Sequence, residues 1–235
     1  TLYQTQWFHA DCLADYYQVP VFSEEHWCIL DNFIGSAAAH GINMLLTPVF
    51  TPPLDTAKGG ERTTVQLVEV NWDGTDYHFD FARLRRWVEL CSKHGITEIE
   101  VSHLFTQWGA ICAPKIWVNT PDGPEKRFGW HTPAVGGEYT RFLRMFLPAL
   151  KEELNQLVGL EHVWFHISDE PHDHEKETYA AAKATVADLL EGCHVIDALS
   201  SYAIYQEGIV EKPVVCNDHL QTFADHGVPN LWTYY

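Results

Sequence analysis

Positive charge is scarce in this sequence: 15 Lys and Arg stand against 32 Asp and Glu, a formal net charge of −17. Nucleic acids and anionic membranes need a basic face, so neither is expected as a partner. The balance suits a neutral or cationic ligand. No run of about 18 apolar residues occurs, so no transmembrane helix or membrane insertion is expected. No secretory leader is visible either, in a chain that starts at Thr1. The cysteines (Cys12, Cys28, Cys91, Cys112, Cys193 and Cys216) are scattered, with no C-x-x-C pair. They form neither a zinc signature nor a dense disulfide framework. A G-x-S-x-G elbow, a P-loop and a dinucleotide fingerprint are also missing, so nucleophilic-serine and phosphate chemistry find no support.

Aromatic residues are plentiful, with 9 Trp, 10 Tyr and 12 Phe among 235 residues that are 46% hydrophobic. Such a chain can bury the core of one large domain or most of a barrel. Aromatic faces also stack on the apolar faces of sugar rings.

Read in order, the chain alternates strands and helices. Leu2 to His9 reads as a first strand, with Ala10-Asp11-Cys12 at its end. Ser23 offers an N-cap ahead of Glu24 and Glu25, for a helix that runs to His40. Ile42 to Phe50 is a second strand. Thr63–Val70 and Tyr77–Phe81 alternate around Asp73-Gly74, the signature of a hairpin. Asp80 caps a helix with Leu84, Trp87, Val88 and Cys91 on one face, and Ile96 to Phe105 is a third strand. A long loop, 106–137, precedes a helix from Glu138 to Leu157. Val163 to Ser168 is a fourth strand, followed by a helix over 175–191. His194–Leu199, Pro213–Asn217 and Asn230–Tyr235 complete seven strands. His-Gly recurs at 40–41, 94–95 and 226–227, each time as a helix end before a new strand. This rhythm predicts a parallel sheet and an α/β fold of the (β/α)8 TIM-barrel type. It predicts a single domain over 1–235 that stops before closure, the natural chain continuing past Tyr235.

The most informative stretch is Ser168-Asp169-Glu170-Pro171, where the fourth strand is halted by proline. In parallel barrels the C-terminal strand ends carry the chemistry. Adjacent carboxyls raise one another's proton affinity, so one can hold a proton near neutral pH while the other ionises. That division of labour suits glycoside cleavage. Capping of the next helix by Asp169 is the alternative.

Four phrases together carry a family resemblance: W-F-H-A-D-C-L-A (7–14), Y-H-F-D-F-A-R-L-R-R-W (77–87), I-E-V-S-H-L-F-T-Q-W-G-A (99–110) and F-H-I-S-D-E-P (165–171). The chain resembles the catalytic domain of glycoside hydrolase family 123, also known as domain of unknown function 4091, over nearly its whole length. The resemblance implies a (β/α)8 barrel and removal of β-linked N-acetylgalactosamine with retention, the substrate's acetamide acting as nucleophile. It implies that Asp169 orients the acetamide and that Glu170 is the general acid/base. No cofactor is implied. A glycan or glycoconjugate is the expected partner, which favours a secreted or periplasmic setting.

Around this pair, His9, Asp11 and His103 are candidates for hydrogen bonds to sugar hydroxyls. Trp108, Trp130, Tyr205 and Trp232 are candidates for a stacking platform, and Trp232, Tyr234 and Tyr235 of the seventh strand are suited to enclosing an acetamide and hydrogen-bonding its oxygen. His9, Asp11, His103 and His166 also admit a metal-hydrolase reading, but no histidine cluster on strands five and six completes it. Two further alternatives remain open: a carboxylate nucleophile outside this chain, since the seventh strand holds no acid, and a barrel that binds carbohydrate without turnover.

Overall fold

In the computed structural model, which describes residues 2–234, the chain forms twelve short strands. They are β1 (Thr5–Gln6), β2 (Met44–Thr47), β3 (Glu69–Trp72), β4 (Tyr77–Asp80), β5 (Glu98–Val101), β6 (Ile116–Thr120), β7 (Gly123–Phe128), β8 (Val163–Phe165), β9 (His194–Val195), β10 (Asp197–Leu199), β11 (Pro213–Cys216) and β12 (Trp232–Tyr234). The α-helices among the described residues are α1 (Ala10–Tyr17), α2 (Glu24–Ala39), α3 (Ala82–Lys93), α4 (Gly137–Leu157), α5 (Lys176–Ala184), α6 (Tyr202–Gln206) and α7 (Leu220–Asp225).

The fold is mixed α/β. One sheet has the order β1-β2-β5-β8-β9 and a second the order β10-β11-β12, all pairs parallel. The fifth expected strand, 194–199, divides between them. Its central residue, Ile196, belongs to neither strand and donates its N–H to Phe165 O at 2.9 Å. Strand side chains alternate between faces. One face packs on the helices through the large apolar core, which includes Leu45, Ile99, Val163 and Phe165. The other carries a small apolar cluster of Met44, Trp164 and Ile196, against which Val214 and Trp232 pack.

The expected helix signals hold. Ser23 Oγ accepts from His26 N. Asp80 Oδ1 accepts from Ala82 N at 2.7 Å, and α3 buries Leu84, Trp87, Val88 and Cys91. After each His-Gly junction the glycine is left-handed, with φ of 92°, 81° and 72° at Gly41, Gly95 and Gly227. His40 and His226 each place Nδ1 2.7 Å from the carbonyl four residues back, closing the last turn.

Four expectations need correction. The first strand is only Thr5–Gln6, and Ala10–Tyr17 is helical. The first hairpin strand is Glu69–Trp72 rather than 63–70. The loop 106–137 contains a second hairpin, β6–β7, around Asp122-Gly123. It joins the first in an accessory sheet of order β4-β3-β6-β7. The α5 helix stops at Ala184, and turns complete the segment to Gly192. No helix among the described residues is long and apolar enough to cross a membrane.

Candidate active site

Two of the phrases singled out above lie side by side beyond the ends of β5 and β8. Leu104 N donates to His166 O at 3.1 Å, and Phe105 N to Ile167 O at 2.9 Å. Ser168 Oγ then donates to Thr106 O at 2.8 Å. Past this zipper, Trp108, Gly109 and Ala110 are all left-handed, with φ of 68°, 84° and 55°. They turn the loop against the first residues after the Asp169-Glu170 segment. A Cβ on Gly109 would sit 3.0 Å from Thr178 Oγ1 and 3.1 Å from Glu175 Cβ. Gly109→Ala is therefore expected to destabilise the fold by about 1–2 kcal/mol from the backbone conformation alone. A urea melt of the variant measures this, and an unchanged midpoint contradicts it.

Regular strand would send Asp169 and Glu170 to opposite faces. The chain avoids this because β8 ends at Phe165 and Glu170 takes a φ of 42°. A left-handed residue with a side chain is strained by about 1–3 kcal/mol and needs support. Ser200 Oγ, one residue past β10, donates to Glu170 Oε1 at 2.8 Å, and the Tyr234 hydroxyl of β12 donates to the same oxygen. Burial, and then this bond to a carboxylate, raise the Tyr234 phenol well above its ordinary range, so it stays a neutral donor. Asp169 differs from its neighbour. Burial, and then the adjacent Glu170 charge, push its carboxyl up to about 7. Asp197 and Asp55 add to the effect, and His166 opposes it. One carboxyl is thus clamped and the other is poised to titrate near neutrality.

His9 places Nε2 2.8 Å from Asp55, while its Nδ1 is buried without a partner. Burial holds its ring below the usual histidine range. Asp11 is buried, and both its oxygens take Arg62, at 2.7 and 3.1 Å. It ties the loop after β2 to α1. His103 is 1% exposed, and neither ring nitrogen has a partner. It stacks on His166 with centroids 4.2 Å apart and planes 17° apart. His103, His166 and Asp197 fall within metal-ligand distance of one another. However, face-to-face imidazoles aim their in-plane lone pairs in parallel, and both His166 nitrogens already meet carboxylates. The arrangement fits an electrostatic network better than a coordination shell. Cys216, Asp218 and His219 gather on the turn after β11.

Trp108 is 42% exposed on its left-handed loop. Trp130 donates its indole N–H to Gly60 O at 2.9 Å and serves the wall between the two long loops. Tyr205 lies in α6 against Tyr202 and Phe223, within the helical layer. Trp232 needs correction: it opens β12 level with Val214 and packs on Trp164 and Tyr3, so it covers the strand ends opposite Glu170. The residue that reaches Glu170 from this strand is Tyr234, two positions on. Tyr235 lies outside the described residues. Ser200 was not singled out, and its only sequence signal is a hydroxyl at the end of the fifth strand.

The paired carboxyls thus lie together beyond the C-terminal ends of a parallel sheet in an α/β fold. The chain belongs to the family described as glycoside hydrolase 123, catalytic domain, which matches residues 7–235. Among solved structures it is similar to a family 123 glycoside hydrolase from Clostridium perfringens, described for glycolipid glycan hydrolysis. The TM-score is 0.70 at 14% identity, covering 98% of this chain and 42% of that one. The chain therefore spans less than half of that protein, and at this identity the likeness speaks for the fold alone. No curated protein sequence matches.

Proposed function

We propose that residues 1–235 belong to a single (β/α)8 catalytic barrel of a retaining glycoside hydrolase. It releases terminal β-linked N-acetylgalactosamine, or a related 2-acetamido sugar, by substrate assistance. The observation that carries this reading is the unequal pair: Glu170 fixed through one oxygen, Asp169 bonded to no protein group among the described residues. Glu170 Oε2 is left to protonate the departing glycosidic oxygen while the acetamide oxygen attacks C1. Asp169 accepts the acetamide N–H and stabilises the positive charge of the oxazolinium. Glu170, now a carboxylate, takes a proton from the water that opens the ring at C1, and the configuration is retained. Family membership supports glycoside chemistry, and β12 offers no carboxylate to act as a nucleophile.

A second reading has one observation in its favour: the proton affinity of Asp169 is raised. The roles would then be exchanged, Asp169 donating the proton and Glu170 receiving the N–H.

The test is a matched pair of β-glycosides that differ only at C2, one 2-acetamido and one 2-hydroxyl. Cleavage of the first alone is expected. Equal rates on both overturn substrate assistance in either version.

A further inference from the structure

We propose that His166 is a positioning residue, a buried imidazolium clamped between Glu100 and Asp197 whose charge keeps Asp169 available as a carboxylate. The proposal rests on the reading of Asp169 given above and deepens it. His166 lies three residues before Asp169 in the segment zipped to Leu104 and Phe105. Its side chain is 2% exposed. Nε2 lies 2.6 Å from Glu100 Oε1 and Nδ1 lies 3.0 Å from Asp197 Oδ1. A ring flanked at both nitrogens by carboxylates that are already acceptors must donate twice, which only the protonated form does.

Both carboxylates are held as acceptors by other groups. Trp7 Nε1 donates to Glu100 Oε1 at 2.9 Å, and Thr5 Oγ1 donates to Oε2. Ile167 N donates to Asp197 Oδ2 at 3.2 Å, and the Tyr179 hydroxyl of α5 donates to the same oxygen. On its face, His166 meets His103, which burial and then the His166 charge hold neutral, well below the usual range. Trp7 stands edge-on at 6.1 Å. Burial alone would strip the His166 proton, but the bonds to Asp197 and Glu100 outweigh it and hold the ring at about 10.

Glu170, Asp197 and Asp55 all oppose ionisation of Asp169, and His166 is the cation set against them. Without that charge Asp169 would stay protonated into the alkaline range. A neutral carboxylic acid polarises an acetamide N–H poorly and cannot offset an oxazolinium charge. No other part of the proposed chemistry uses this buried cluster. Its place on the segment that leads straight into Asp169 gives it that task.

The experiment is a 13C NMR titration of the Asp169 carboxyl, assigned with Asp169→Asn, alongside the pH profile of kcat/KM. His166→Gln is expected to move the Asp169 midpoint upward by about one unit or more. The acidic limb of the profile should move with it, a loss of roughly tenfold at fixed pH below the midpoint. His166→Lys, which restores a cation, should return both toward wild type. The ring 15N shifts of His166 in the wild-type protein decide the question if His166→Gln does not fold: two protonated nitrogens are expected, and a neutral ring overturns the proposal. An Asp169 midpoint that stays put in folded His166→Gln overturns the proposal. The titration reads Asp169 without turnover. If no glycoside is cleaved, the functional reading fails while the titration still judges His166.

Discussion

Glu170→Gln is expected to lower kcat/KM on a glycoside with a poor leaving group by about 10²–10⁴-fold. A nitrophenyl or similarly acidic leaving group should lose far less in the first step, because it departs with little protonation. Gln keeps the amide oxygen as an acceptor for Ser200 and Tyr234, so the left-handed turn at Glu170 stays supported and the loss reports the proton. The measurement is kcat/KM against leaving-group acidity for both proteins. A steeper dependence in the variant identifies the acid. If Asp169→Asn gives the steeper line instead, the roles are exchanged. Full activity of Glu170→Gln on a natural-type glycoside removes the assignment outright.

Asp169→Asn is expected to have two effects of opposite benefit. Turnover of 2-acetamido glycosides should fall sharply, because an amide cannot balance the oxazolinium charge. Stability should rise, and only at higher pH. An unfolded aspartate titrates near 3.9. The native carboxyl is pushed up to about 7, so between these values the native state holds the extra proton. Unfolding free energy therefore declines as pH rises from about 4 to about 7, and the full penalty, about 2–4 kcal/mol, applies above that window. The variant should melt higher than wild type at pH 8 and together with it at pH 4. Wild-type kcat/KM should fall as pH drops below about 7, and the variant should lose that limb. Equal melting temperatures at pH 8 would show that the Asp169 environment is not destabilising to its charge.

Much of this was legible in the sequence where one signal decided the outcome locally. The His-Gly junctions needed only a left-handed C-terminal residue, and the α3 and α4 faces follow from the 3.6-residue period. The fourth strand was legible too, but it ends at Phe165, not at the Ser168 expected, because the chain leaves the sheet before the left-handed Glu170. What spacing could not show depended on partners distant in the chain. The ion pair at Asp11 joins it to Arg62, 51 residues later. Ile116, Val118 and the turn at Asp122-Gly123 spell a hairpin, but a loop rich in Gly, Pro and aromatics masks a strand of five residues. Trp232 and Tyr234 sit two apart, so alternation puts both on one side, and only the direction of β12 shows which of them is level with Glu170. The His166 clamp joins three strands and leaves no local trace.

The break at Ile196 bears on how this protein comes apart. Residues 194–195 form an edge of one sheet and residues 197–199 an edge of the other, so six consecutive residues act as a rivet through both. Peeling either sheet loosens the rivet and exposes the second. Asp197, the anion that grips His166, lies in that rivet. Loss of cooperative structure and loss of the poised Asp169 should therefore be one event, with no half-unfolded intermediate that still holds the His166 clamp.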